Sequence, residues 1–224
     1  MVPGQAHLII QRGRSGTAVF RDAADRLGYL RALAEAALSA RVAIHAYALL
    51  PAEVRLLVSP EDAGGLALLM QASGRRYVRG FNQKYGSTGT PWEGRFRSTV
   101  IEPDAYFLPC LRYVEGSADA VTSPGGGADL VSSAAHHLGL GVDPLIADHP
   151  AFWGFGNTPF ERHAAYRRFL EQAPGEGEVA VILHAALNGW ALGSREFAAV
   201  VADQTGRRPQ RAARGRPKIL PATG

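Results

Sequence analysis

Residues 44–58 read Ile-His-Ala-Tyr-Ala-Leu-Leu-Pro-Ala-Glu-Val-Arg-Leu-Leu-Val, and this stretch decides the fold class. It contains most of two β-prone runs, 42–49 and 53–59, on either side of Leu50-Pro51-Ala52, a pattern typical of two adjacent strands joined by a turn. Successive side chains of a strand point to opposite faces of a sheet. The second run therefore predicts two sets of side chains on opposite faces: Glu53, Arg55 and Leu57 against Val54, Leu56 and Val58.

The elements around this hairpin complete an alternating order of strands and helices. An apolar strand over 6–11 precedes a helix over 20–39, whose apolar stripe is predicted at Leu27, Leu30, Ala34 and Leu38. After the hairpin come a helix over 64–85, a strand over 97–101 and a short helix over 104–113. This order predicts an α+β, ferredoxin-like (split βαβ) fold. We expect a four-stranded antiparallel sheet with the Glu53 strand central and helices on one face.

The composition changes near Ala118, which divides the chain into regions. We predict a first domain over 1–120 and a flexible linker over 121–128, which contains Ser123-Pro124-Gly125-Gly126-Gly127. A helical C-terminal region follows over 129–205, with helices predicted over 129–138, 158–170, 176–188 and 194–205. The basic tail over 206–224 is rich in Arg and Pro and is predicted to be disordered.

Bulk composition excludes several classes of protein. The chain has 224 residues, 46% of them hydrophobic, and its apolar runs are shorter than the ~20 residues that span a bilayer. The N-terminus lacks the basic and apolar segments of a signal peptide. Cys110 is the single cysteine, which excludes an intramolecular disulfide and predicts a small core residue. We therefore predict no membrane partner and a cytoplasmic, nucleoid-associated location.

The basic residues are concentrated in two places, which suits a polyanionic partner. Six basic residues accompany the single acid Glu93 between Met70 and Thr99, and six more follow Asp203 with no acid. On the helix over 64–85 the arginines lie opposite a predicted buried stripe of Leu66, Met70, Tyr77 and Phe81. Basic residues interleaved with aromatic ones suit single-stranded DNA, whose bases stack on the rings. The other interpretation, which we favour for the rings themselves, is that Tyr77, Phe81, Trp92 and Phe96 belong to the core.

The tail carries Arg214-Gly215-Arg216-Pro217, which looks like the core of an AT-hook. An extended arginine pair lies well in the narrow minor groove of an AT-rich duplex. The alternative is a basic tail that binds any polyanion. This motif makes an AT-rich duplex a second candidate partner.

The order of several short motifs resembles that of the REP-associated tyrosine transposases, single-tyrosine enzymes with the HUH endonuclease fold. The resemblance covers nearly the whole chain and rests on motifs in the expected order: Arg12-Gly13-Arg14, Phe20-Arg21-Asp22, residues 44–58, Trp92-Glu93-Gly94-Arg95-Phe96-Arg97-Ser98, Asp104-Ala105-Tyr106-Phe107, Arg112-Tyr113-Val114-Glu115, residues 137–145, Gly189-Trp190-Ala191-Leu192-Gly193 and Arg214-Gly215-Arg216-Pro217. Each motif is short, but their shared order is specific.

The resemblance implies a chemistry that two replacements call into question. In that family a tyrosine, here Tyr113, attacks a DNA phosphodiester, and a histidine–hydrophobe–histidine pair holds the divalent cation that stabilises the developing charge. Here the pair falls on Glu53-Val54-Arg55. A glutamate is an oxygen ligand for Mg²⁺ or Mn²⁺, but a guanidinium has no lone pair for a metal. The segment after the tyrosine also departs from the family pattern at Gly116-Ser117-Ala118-Asp119-Ala120.

Two interpretations of Glu53 and Arg55 follow. In one, Arg55 replaces the metal as a phosphate clamp. In the other, which we favour, both are solvated or paired residues of a decayed site, since nothing else in the sequence replaces the lost ligands. His45 is a further candidate ligand, although a lone strand histidine is more often structural. We expect no cofactor, with Mg²⁺ or Mn²⁺ bound only if activity remains.

Three functions remain open from the sequence. The favoured one is a DNA-binding protein that recognises single-stranded or hairpin repeats with impaired cleavage. An active enzyme that nicks and rejoins single-stranded DNA through Tyr113 is the alternative, and an RNA-binding module is the third. The motif order, and the lack of an aromatic strand like those of RNA-recognition domains, argue against RNA. Charge and resemblance assign DNA contacts to Arg12, Arg14, Arg75, Arg76, Arg79, Arg95, Arg97, Arg214 and Arg216.

Overall fold

The computed structural model describes residues 1–116 and 131–206. Within them are five strands: β1 (His7–Arg12), β2 (Val42–Leu50), β3 (Glu53–Pro60), β4 (Arg97–Val100) and β5 (Val131–Ser132). The same residues form eight α-helices: α1 (Ala23–Ala40), α2 (Gly65–Tyr85), α3 (Pro103–Glu115), α4 (Ala134–His137), α5 (Pro150–Trp153), α6 (Pro159–Glu171), α7 (Glu176–Asn188) and α8 (Arg195–Thr205). The predicted linker and tail lie outside the described residues.

The sheet has the strand order β4-β1-β3-β2-β5, and neighbouring strands pair antiparallel. The α+β fold and the central place of the Glu53 strand are confirmed. The expectation of four strands was wrong by one, because Val131 and Ser132 pair with Leu49 and Ala48 at the open edge of β2. The predicted helix over 129–138 is replaced there by β5 and the short α4. Pairing with β2 satisfies backbone groups that the strand edge would otherwise leave unpaired.

Helices cover both faces of the sheet, whereas we predicted helices on one face. The face carrying Val54, Leu56 and Val58 packs against α1 and α2. The opposite face carries Leu8, Ile10 and Leu57 and packs against α3 and helices from residues 131–206. Both faces of β1 carry buried apolar side chains, Ile9 on one and Leu8 and Ile10 on the other, so leaving either face uncovered would expose them to water. The division into two domains stays a prediction, and the described parts of both regions share this second core.

The buried stripe of α1 differs from the one predicted. Leu27 and Leu38 are 49% and 84% exposed, and Tyr29 and Leu33 face the core in their place. Asp22 caps the helix by accepting a hydrogen bond from the Asp25 backbone N–H, which sets where the helix begins. The Tyr29 ring then packs edge-on against Phe20 and Tyr77. The stripe predicted for α2 is confirmed, with Leu66, Met70, Tyr77 and Phe81 all buried.

The longer C-terminal helices, α6, α7 and α8, lie within one residue of their predicted bounds. Residues Thr158 and Glu161 form a reciprocal capping box at the start of α6. Ser194 caps the start of α8, since its side chain accepts a hydrogen bond from the Phe197 backbone N–H. Among the helices of the described residues, none combines the length and apolar character needed to cross a membrane.

Candidate nucleic-acid interface

The candidate site lies at the start of β3, on the face covered by α3. Antiparallel pairing places Glu53 opposite Arg12 and Arg55 opposite Ile10, so Arg12, Glu53 and Arg55 share this face. Glu53 uses both carboxylate oxygens there: Oε2 accepts from Arg12 Nε at 2.8 Å and Oε1 accepts from Arg55 Nε at 2.7 Å. We call these three residues the arginine–glutamate cluster. It contains two positive charges and one negative charge.

Tyr113 on α3 lies directly against this cluster. The Arg55 guanidinium carbon is 4.3 Å from the centre of the Tyr113 ring, and Arg55 Nη1 donates to the Tyr113 backbone oxygen at 3.1 Å. Tyr113 itself is only 7% exposed. Burial raises the pKa of the Tyr113 phenol, and the opposing charge of Arg55 offsets this only in part. The phenol is therefore protonated at neutral pH, a form that is a weak nucleophile.

The residues at the two positions of the family's histidine pair do not fit a divalent cation. Both oxygens of Glu53 are already bound to guanidinium groups. Arg55 cannot coordinate a metal and brings a positive charge to the place where the metal charge would lie. Across residues 1–116 and 131–206, no three His, Cys, Asp or Glu side chains are grouped as a metal site.

Loop residues bring further arginines to the same end of the sheet. The backbone N–H of Arg14 bonds to Pro91 O at 2.8 Å, and Glu93 N–H bonds to Arg12 O at 2.8 Å. Gly13 allows the turn after β1 to fold back on itself, because a Cβ there would lie 2.2 Å from Thr17 O. The segment that carries Arg95 therefore runs beside Arg12 and Arg14. On β4, Arg97 pairs with Ile10 and shares the face of Arg55.

The arginines of α2 lie elsewhere. Helix α2 covers the opposite face of the sheet, and its exposed side carries Arg75, Arg76 and Arg79. Arg76 pairs with Glu35 of α1 at 2.8 Å. The structure thus brings together Arg12, Arg14, Arg55, Arg95 and Arg97 but separates them from the α2 group. Arg214 and Arg216 lie outside the described residues.

The aromatic residues beside the α2 arginines are part of the core. Tyr77, Phe81 and Trp92 are each buried and pack with Phe20 and Tyr29 between α1 and α2. The core interpretation, which we favoured for these three rings, is therefore confirmed, and the interpretation of them as a stacking platform for bases is wrong. Phe96 packs on the edge of the same core.

Two other sequence candidates are structural. The ring of His45 is buried, with Nδ1 2.6 Å from Ala147 O and Nε2 2.9 Å from Ser59 Oγ. Burial lowers the pKa of His45 to about 4, so this imidazole is neutral near pH 7. Cys110 lies on α3 and is fully buried in the core between that helix and the sheet, as predicted.

Sequence reasoning missed a buried polar cluster around Glu115, two residues after Tyr113. This carboxylate accepts from Tyr166 Oη at 2.5 Å and from the Ser133 hydroxyl, and His137 Nδ1 lies 2.9 Å away. Burial alone would lower the pKa of His137, but the charge of Glu115 raises it overall. The cluster ties the end of α3 to α4 and α6 and so holds the helix that carries Tyr113. Glu115 and His137 both lie in quoted motifs, but their pairing depends on a fold contact that the sequence does not display.

The chain resembles a tyrosine transposase in fold. A solved structure described as the REP-associated tyrosine transposase bound to a REP hairpin matches with a TM-score of 0.50 and 13% identity, covering 67% of this chain and 92% of that one. At this identity the match supports the fold alone. No protein-family model and no curated protein sequence matches the chain.

Proposed function

We propose that this protein binds single-stranded or hairpin DNA with the surface around the arginine–glutamate cluster, and that its strand cleavage is impaired. The observation that carries the proposal is the arrangement of Glu53 and Arg55. An ion pair, in contact with Tyr113, occupies the positions that hold the catalytic metal in the resembling family. The transposase-like fold supports DNA as the partner, and a cytoplasmic, nucleoid-associated location would follow from such a role.

Cleavage is weakened because charge stabilisation and nucleophile activation are both reduced. Loss of one positioned electrostatic group at a reacting centre costs ~3–4 kcal/mol of transition-state stabilisation in enzymes where it has been measured. Here no cation can neutralise the phosphate through Glu53, and burial raises the pKa of the attacking phenol. Neither effect acts on DNA binding itself.

DNA binding persists because its charge comes from arginines rather than from a metal. Arg12 keeps 43% of its side chain exposed, and Arg14, Arg95 and Arg97 are exposed around it. The Glu53 carboxylate cancels only one of the two charges in the cluster. The remaining positive surface suits the phosphate backbone of a nucleic acid.

One observation favours the alternative of an active enzyme. The Arg55 guanidinium lies against the Tyr113 ring, and its charge acts to lower the pKa of that phenol. A DNA phosphate that replaces Glu53 as the partner of Arg55 would place the scissile group beside the hydroxyl. In this alternative the guanidinium takes over the electrostatic role of the metal.

Binding measurements with and without metal test the proposal. We expect a fluorescent hairpin with a single-stranded flank to bind equally well in EDTA and in Mn²⁺. An Arg12→Ala/Arg97→Ala variant should bind more weakly, by roughly tenfold at low salt, and its log affinity should fall less steeply with log salt, by ~0.7 per lost contact on a single strand. Arg31→Ala/Arg167→Ala, which removes two exposed arginines from α1 and α6, is the matched control.

Three results would count against the proposal. Binding that requires Mn²⁺ would indicate a metal centre at this site. An equal loss in the Arg31→Ala/Arg167→Ala control would indicate attraction by net charge alone. Tighter binding to an RNA hairpin of the same sequence would favour the RNA-binding alternative.

A further inference from the structure

A pocket of about 480 Å³ lies between α3 and α7 beside β4. Its walls come from α7 and from two motifs that have no role in the arginine–glutamate cluster, Asp104–Phe107 and Gly189–Gly193. Tyr106, His184 and Trp190 provide aromatic surfaces, and Ala185 and Leu192 provide an apolar floor. Two motifs that are far apart in the sequence thus meet at one opening on the surface.

The rings of this pocket are accessible, unlike those near α2. Tyr106 and Trp190 are half-buried and His184 is exposed. The centre of the His184 ring is 4.7 Å from that of Trp190, with the two planes nearly perpendicular at 75°. A flat aromatic ligand can therefore lie against one ring face and meet the edge of another, which is a favourable geometry for stacked π-systems.

The backbone of the pocket also offers polar groups. Leu192 N–H bonds to Val100 O at 2.9 Å, and Leu192 O accepts from Glu102 N–H at 2.8 Å. Leu192 thus directs both its N–H and its C=O toward β4. In an extended segment the N–H and C=O of the adjacent residues, Ala191 and Gly193, point to the opposite side. Among the described residues, no hydrogen bond involves the N–H or C=O of Ala191 or Gly193, whereas the next residue, Ser194, donates its N–H to Glu102 Oε2 at 2.6 Å. This outer edge presents donors and acceptors next to the aromatic walls.

The pocket lies close to the arginine–glutamate cluster along two elements. Tyr106 precedes Tyr113 by two turns of α3, which separates the two by about 10 Å along the helix axis. The Trp190 carbonyl accepts from the Thr99 hydroxyl, and Thr99 follows Arg97 by two residues on β4. A strand with one phosphate near Arg97 and Arg55 therefore has its adjacent nucleotides within reach of the pocket.

We propose that this pocket binds one unstacked nucleobase of a single-stranded DNA segment that flanks the arginine–glutamate cluster. The base stacks on Trp190 and Tyr106, and its in-plane donors and acceptors bond to the peptide groups of Ala191 and Gly193. The proposal rests on the proposed function, because the phosphate contacts deliver the strand to the pocket. Stacking accounts for affinity here without requiring a particular base.

A scan with abasic nucleotides tests the proposal in the full-length protein. Single-stranded flanks of a hairpin are prepared with one abasic position each, and binding is measured with wild type, Trp190→Leu and His184→Ala. Loss of a stacked base or of its aromatic partner lowers affinity by roughly 5- to 100-fold. We expect one abasic position to reproduce the loss caused by Trp190→Leu, and the two changes together to cause no further loss.

Controls separate stacking from folding and from general DNA binding. Trp153→Leu removes an exposed tryptophan from α5 and should leave affinity unchanged. Trp190→Phe should restore most of the affinity, and His184→Ala tests the pocket at an exposed position that tolerates replacement. If the loss from every abasic position adds fully to the loss from Trp190→Leu, while wild type still binds the intact hairpin, the pocket proposal is contradicted and the proposed function is not. Wild type that binds none of the oligonucleotides would contradict the proposed function and the pocket with it.

Discussion

Glu53 is the residue on which the properties of the site depend. It draws Arg12 and Arg55 together and cancels one of their charges, so it competes with any phosphate for the same two guanidinium groups. Because Glu53 and Arg55 are 15% and 19% exposed, their ion pair is shielded from solvent more than a surface pair. The cluster is thus a preformed anion site that already contains an anionic side chain.

Glu53→Gln should therefore strengthen DNA binding. The amide keeps one hydrogen-bond acceptor for the arginines and removes the negative charge that opposes phosphate. We expect affinity for the hairpin substrate to rise by about five- to tenfold at low salt, with a smaller gain at high salt because screening weakens the effect. Glu61→Gln, 68% exposed just beyond the far end of β3 and paired with Arg41, is the control and should change affinity little. Unchanged or weaker binding by Glu53→Gln would place the DNA away from this cluster.

The buried His45 provides a second test at the scale of single residues, which is how the free energy of unfolding depends on acidic pH. Burial lowers the pKa of His45 from 6.5 to about 4 in the folded state, and His7 behaves in the same way. Between these pH values the unfolded chain binds a proton that the folded chain does not, so the free energy of unfolding falls as pH falls. A pKa lowered this far corresponds to roughly 3 kcal/mol for a single such histidine.

His45→Asn should flatten this dependence between pH 6.5 and pH 4, because its amide can still donate to Ala147 O without titrating. Urea unfolding at pH 7 and pH 5 measures the effect, with the exposed His184→Asn as the control. His137 works in the opposite sense: its raised pKa contributes stability that is present below pH 6.5 and lost as pH rises through that pKa. An unaltered pH slope in His45→Asn would show that His45 titrates normally in the folded protein.

At the scale of secondary structure, the basic residues belong to two separate surfaces. Helix α2 carries Arg75 and Arg79 on the face of the sheet opposite Tyr113, and neither forms an ion pair with another described residue. A short single strand that lies along Arg12, Arg55 and Arg97 does not reach them. A longer hairpin can contact both surfaces only by passing around the sheet.

Arg75→Ala/Arg79→Ala should therefore affect long and short DNA differently. We expect weaker binding of a long hairpin and a salt slope reduced by ~0.7–0.9 per lost phosphate contact. A six-nucleotide single strand should bind this variant as it binds wild type. Equal losses for both ligands would show that α2 contacts the short strand, and unchanged binding of both would remove α2 from the interface.

Secondary structure also shows what sequence patterns can and cannot predict. The alternation in β3 correctly placed Glu53 and Arg55 on one face, because side-chain direction in a strand depends only on position. The stripe of α1 was misplaced, because leucines at helical spacing resembled a buried face while Tyr29 and small alanines formed the real contact. Strand β5 was missed, since two residues acquire strand structure only by pairing with β2.

At the scale of the whole molecule, the site depends on parts of the chain that are far apart in sequence. The resemblance to transposases indicated that Tyr113 lies near residues 53–55, and the structure places it there. The role of Arg12 as a partner of Glu53 follows from the register of β1 on β3, which no local pattern displays. The Glu115 cluster and the aromatic pocket likewise arise from packing of residues 131–206 against α3.

The central claim is that the cluster of Arg12, Glu53 and Arg55 leaves a DNA-binding protein without efficient cleavage. Its most direct test is incubation with a labelled hairpin that carries a single-stranded flank, in Mn²⁺ and in EDTA, followed by denaturing electrophoresis. We predict no covalent protein–DNA adduct in either condition, while native gels of the same samples show the bound complex. A covalent adduct that is lost in Tyr113→Phe would contradict this account, and its persistence in EDTA would assign the catalytic charge to Arg55.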